Sequence, residues 1–124
     1  MPYEVSFDED QGIVNVRVSG TATRDDHYGA RDEAFWLCQQ NGCSKLLVDL
    51  RELDTSGIST TGCFTFGVAL SKTAPEVRIA HVMPANDKSS EDVEFTSSVA
   101  ANRGKSTGEF KTVEEARKWL NEST

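Results

Sequence analysis

The chain is poor in the residues that most directly announce a chemistry. Its 124 residues include two histidines, three cysteines, three prolines and two tryptophans. The longest strongly apolar stretch is the short Leu46-Leu47-Val48, far below the roughly 18 residues that a membrane-spanning helix needs. An odd number of cysteines does not suit a closed disulfide framework, so a reduced, cytoplasmic setting is expected. The N-terminus also lacks the basic end and apolar block of a signal peptide. Basic residues are scarce too, 13 against 20 acidic, for a formal net charge of −7 and an isoelectric point near 4.8. A surface of that sign repels phosphate backbones and anionic lipid heads, which excludes nucleic acid as an expected partner. Leu, Ile, Val and Phe together make up about 22% of the chain, just above the level that signals disorder. A folded core is therefore expected, in one domain spanning residues 1–124.

What is present is a clean succession of periodicities. Residues 3–8 alternate, with Tyr3, Val5 and Phe7 against Glu4, Ser6 and Asp8. After a turn at Glu9-Asp10-Gln11-Gly12, Val14, Val16 and Val18 alternate with Asn15, Arg17 and Ser19. This is the pattern of an antiparallel hairpin. The period then becomes helical, with Asp25 or Asp26 as the expected cap and Ala30, Ala34, Leu37 and Cys38 as one apolar stripe ending at Gly42. Lys45 to Leu50 reads as a covered parallel strand. A Gly/Ser/Thr-rich turn from Asp54 to Gly62 opens a second helix through Phe64, Phe66, Val68 and Leu70, ended before Pro75. Val77 to Met83 is the next strand. Ser89 with Asp92 fits a loose capping box for a helix ending at Gly104, and Gly108 to Lys111 is a short last strand. Thr112-Val113-Glu114-Glu115 is a full capping box before the apolar Ala116, Trp119 and Leu120.

The order β-β-α-β-α-β-α-β-α implies an α/β fold with a mixed sheet of about five strands, parallel except at the first hairpin strand, and about four helices. Val14, Val16, Leu47, Val48, Ile79 and Phe110 are expected to share one core with Leu37, Phe66, Val99 and Leu120.

The most informative tetrapeptide is Asp54-Thr55-Ser56-Gly57. It lies between the carboxyl end of a central parallel strand and a helix start, the general ligand position in open α/β sheets. Ser59, Thr60 and Thr61 add hydroxyls. Ordinary capping accounts for the same residue types, because Ser, Thr, Asp and Gly are what helix starts are made of. No catalytic pattern is present: Gly57 to Gly62 lacks the glycine placement of a nucleophile elbow and the lysine of a P-loop. His27, beside Asp25 and Asp26, reads as a surface histidine. His81, within a strand, reads as a hydrogen-bonded core or interface histidine. Cys38 and Cys43 have no second pair and no nearby histidine, so no metal is expected. Phe35, Trp36 and Trp119 read as core or partly exposed aromatics.

With the element order and Asp54-Thr55-Ser56-Gly57 both placed, the chain resembles the STAS-like domains, the SpoIIAA-like superfamily of sporulation anti-anti-sigma factors. Their mark is an Asp-Ser-Ser-Gly-type tetrapeptide at this turn, whose second serine is reversibly phosphorylated in the regulators. By position that serine is Ser56 and its acidic neighbour is Asp54, with Thr55 in place of the first serine. Asp49 and Asp54 stand five residues apart, a shorter interval than in the regulators. The closing segment, Glu109 to Leu120, is similar to the bacterial single-domain STAS/SEC14-like group. The resemblance implies helices mainly on one face of the sheet.

Two functions follow as expectations. The first is a non-enzymatic regulatory or protein-interaction module, docking through Asp54, Thr55, Ser56, Gly57, Ser59 and Thr60. Ser56 would be its candidate phospho-acceptor and an anti-sigma-factor-like kinase a candidate partner. The second, implied by the SEC14-like similarity, is a small apolar-ligand or lipid carrier, membrane-peripheral in one form, with a cleft between helices and sheet. Hydrolase chemistry would need a base that the residues do not offer. No cofactor is expected, and the chain would act as a monomer or homodimer.

Overall fold

The computed structural model describes residues 2–122, and over that span the expected order of elements is found. Strands β1 (Tyr3–Asp8) and β2 (Ile13–Val18) pair antiparallel, Tyr3 opposite Val18 and Asp8 opposite Ile13. The Asp8 carboxylate accepts the N–H groups of Asp10 and Gln11, and Gly12 supplies the positive φ (66°) that closes the turn. Strands β3 (Lys45–Asp49), β4 (Arg78–Val82) and β5 (Thr107–Phe110) add in parallel, giving a sheet in the order β1-β2-β3-β4-β5. The helices are α1 (Arg24–Asn41), α2 (Thr60–Ser71), α3 (Asp87–Ala101) and α4 (Val113–Glu122), with one 3-10 turn at Thr55–Gly57.

Each crossover moves the chain one strand further in the same direction. A common hand therefore places α1, α2 and α3 on one face of the sheet. Helix α4 follows the last strand and packs back on the opposite face, against β3, β4 and β5. The single core expected from the sequence is accordingly two. Val14, Val16, Val48, Ile79, Leu37 and Phe66 lie in the layer beneath α1–α3, whereas Leu47, Phe110 and Leu120 lie in the layer beneath α4. The reason is the two-residue period of a strand: Leu46 and Leu47 are neighbours in the chain and point to opposite faces. With both faces covered, β3 reads as a continuous apolar run.

Two helix starts differ from expectation. Helix α1 is capped by Thr23, whose hydroxyl accepts the Asp26 N–H while the Asp26 carboxylate accepts the Thr23 N–H at 2.8 Å. Asp26 is thus the third residue of a capping box and not the cap. Helix α3 is capped by Asn86, which accepts the Ser89 N–H at 2.9 Å. Ser89 sits buried in the first turn, its hydroxyl committed elsewhere. The other terminal signals hold. Gly42 ends α1 in the left-handed conformation (φ 59°), and Thr112 with Glu115 forms the box that opens α4.

Helices α2 and α3 meet at Gly67. A β-carbon there would lie 2.7 Å from the Thr96 carbonyl oxygen and 2.8 Å from Val99 Cβ, so only glycine permits this approach.

Candidate functional site

Beyond β3 the chain is stitched to the residue that follows β2. The Gly20 N–H donates to Glu52 O, and the Asp54 N–H donates to Gly20 O, both at 2.9 Å. This holds Asp54-Thr55-Ser56-Gly57 at the carboxyl end of the central strands. The Asp54 carboxylate accepts the Ser56 N–H at 2.8 Å, and that bond, with one from the Ser56 hydroxyl, keeps the Asp54 carboxyl below its ordinary pKa. Ser56 itself is exposed. Gly57 packs against Ala22, where a β-carbon would lie 3.0 Å from the carbonyl oxygen. Ser59 caps α2 by accepting the Gly62 N–H at 3.0 Å, and Thr60 is exposed in the first turn.

Thr55 differs from its neighbours: it is buried and tied to α3. Its N–H donates to Ser89 Oγ at 2.9 Å, and its hydroxyl donates to Asp92 Oδ2 at 2.6 Å. Burial pushes the Asp92 carboxyl up, but hydrogen bonds from Lys88 and Thr55 outweigh it and leave the pKa lowered. The donors at the start of the turn are thus engaged within the protein, Thr55 N–H by Ser89 and Ser56 N–H by Asp54.

Inward from the turn lies an apolar cavity of about 100 Å³ between the sheet and α1–α3. Its walls include Val16, Val48 and Ile79 from the sheet, Ala30 and Ala34 from α1, and Phe66 from α2, with Thr55 and Ile58 from the turn. Both histidines line it. His27 departs from the surface reading: its ring is 5.7 Å from that of Phe66, and burial lowers its pKa. It stands three residues before Ala30, so the stripe Ala30-Ala34-Cys38 extended back by one helical step reaches it. His81 is the expected core histidine, 6% exposed, with its pKa driven by burial down to about 4. The Gly108 backbone works against that shift without outweighing it. Among the described residues, neither His27 Nε2 nor His81 Nδ1 has a hydrogen-bond partner, although both atoms are buried.

Elsewhere, Cys38 is buried with its thiol pushed up to about 12, first by desolvation. Cys43 is half-buried, its thiol donating to the Gly12 carbonyl at 3.1 Å. Among the described residues no cluster of His, Cys, Asp and Glu could hold a metal ion, and no helix is long and apolar enough to cross a membrane. Trp36, Phe64 and Phe95 are the large apolar side chains most open to solvent.

No family model matches the chain, and no curated protein matches its sequence. Among solved structures it is similar to an uncharacterized protein of the DUF3478 family from Shewanella loihica PV-4, described as having a SpoIIAA-like fold. The two are 17% identical, the match covers 95% of this chain and 93% of that one, and the TM-score is 0.58. At that identity the likeness speaks for the fold. Together with the strand order and the three parallel crossovers, it shows that the chain has a SpoIIAA-like fold.

Proposed function

We propose that the chain is a non-enzymatic binding module whose ligand is a small, largely apolar molecule held between the sheet and α1–α3. The observation that carries this reading is the apolar cavity beneath the Asp54–Gly57 turn. Interiors normally pack with few voids larger than a water molecule, so such a space needs a reason. Its size sets the ligand class. A dry apolar cavity of about 150 Å³ accepts benzene, so the ≈100 Å³ here suits a short chain or, with slight relaxation, a single ring. A full acyl chain would require the helices to part. The lipid-carrier alternative is thereby narrowed to a small apolar ligand. Titration with toluene tests this: amide shifts should saturate, confined to residues such as Val16, Leu46, Phe66 and Ile79. Linear, unsaturating shifts spread over the surface would contradict it.

A second reading rests on Ser56, which is exposed on the outer side of the turn whose Thr55 faces inward. In that reading the turn docks on a protein partner, an anti-sigma-factor-like kinase among the candidates, and Ser56 accepts a phosphate. The added charge of about −1.5 to −2 would meet the Asp54 carboxylate already bonded to Ser56. A partner docked there should lose affinity in Ser56→Asp and keep it in Ser56→Ala; equal binding by the two variants would end the switch.

A further inference from the structure

The polar lining of the cavity is mostly satisfied. The guanidinium groups of Arg24 and Arg31 lie over the Tyr28 ring, at 4.9 and 4.7 Å from its centre, and Arg31 also pairs with Asp32 at 2.7 Å. Asp92 is held by Lys88 and Thr55. The two histidine rings are the exceptions: His27 Nε2 and His81 Nδ1 are buried with no hydrogen-bond partner among the described residues. Of the two, His81 is the more deeply buried, and it stands on the sheet floor of the cavity. In a neutral imidazole Nδ1 is either a donor or an acceptor, and a hydroxyl can meet it in either form.

We infer that His81 Nδ1 makes the cavity selective for a neutral ligand with a hydroxyl on its inner end, carried by a small ring or short chain. This rests on the proposal that the cavity binds a ligand at all. A hydrocarbon of the same shape leaves that nitrogen unmet, and a site built to bond a hydroxyl rejects the analogue lacking it. A carboxylate brings a charge into a site whose burial opposes charge.

Phenol, toluene and benzoate form the test series, with binding followed by calorimetry and by the ¹⁵N shift of the His81 ring. Transfer from water favours toluene over phenol, so any preference for phenol must come from a specific bond. Phenol should bind at least tenfold more tightly than toluene and move the Nδ1 resonance, while benzoate should not saturate. In His81→Phe the preference should vanish with toluene binding retained. Should that variant not fold, the wild-type affinity ratio and the Nδ1 shift decide alone. Equal affinity for phenol and toluene, or a preference that survives in His81→Phe, overturns the role of His81 while leaving the cavity reading intact. Saturation by neither overturns both.

Discussion

Thr55 and Ser56 are adjacent and do opposite work. Thr55 Oγ1 and N–H are buried against Asp92 and Ser89, and Thr55→Val keeps the shape while removing the hydroxyl that donates to the Asp92 carboxylate. It should cost about 1–3 kcal/mol in denaturant unfolding, whereas Ser56→Ala should stay within about 0.5 kcal/mol of wild type. The tetrapeptide could be placed between strand and helix from the order of elements. The burial of Thr55 could not be read in this way, since its partners lie 34 and 37 residues away in sequence. His81 supplies a pH signature. The unfolded chain takes up a proton as pH falls through about 6.5, but the folded ring resists until about 4. Stability is therefore full above the unfolded value and falls through this window, by roughly 3 kcal/mol at most. His27, also lowered, acts in the same direction. The carboxyls held low, Asp26 and Asp49 among them, lose their contribution only in more acidic solution. Between pH 7 and 5 stability should fall less steeply in His81→Gln than in wild type, with His27 supplying the remaining slope; an unchanged slope would mean that His81 does not titrate as described.

At the scale of elements, the hairpin, the order of strands and helices and the α4 capping box could be read directly, because each rests on a local period or a cap within four residues. The start of α3 could not. Ser89 and Asp92 satisfy the capping pattern, yet Asn86 takes the cap and frees the Ser89 hydroxyl for Thr55. The sharpest packing constraint lies between α2 and α3, where Gly67→Ala must push a methyl into the Thr96 carbonyl and Val99. Overpacking of this kind should cost about 1–3 kcal/mol, seen as a lower denaturant midpoint. Leu47, 2% exposed in the layer under α4, offers the complementary case. Leu47→Ala should cost about 2–5 kcal/mol, and an unchanged midpoint would contradict the burial of β3 on its α4 side.

Across the whole molecule, the topology makes the cavity. Three helices cover one face of the sheet and one covers the other, and α1 turns its small residues Ala30 and Ala34 inward toward Val16, Leu46 and Ile79. The two-layer division could not be read from a run such as Leu46-Leu47-Val48, which is apolar for either face. A cleft between helices and sheet was expected only through the SEC14-like similarity, and its lining residues escaped the sequence for a related reason. The cavity arises where side chains are short, and an alanine stripe reads equally well as close packing. Filling the space separates these possibilities. In a tight core Ala30→Leu would destabilise by about 1–3 kcal/mol, but beside a cavity the added carbons enter open space. The most direct measurement is the thermal unfolding midpoint of wild type and Ala30→Leu, each with and without saturating toluene. The account predicts that toluene raises the midpoint of wild type alone, and that Ala30→Leu without ligand is at least as stable as wild type. A toluene-insensitive wild type, or an Ala30→Leu chain destabilised like an overpacked core, would contradict it.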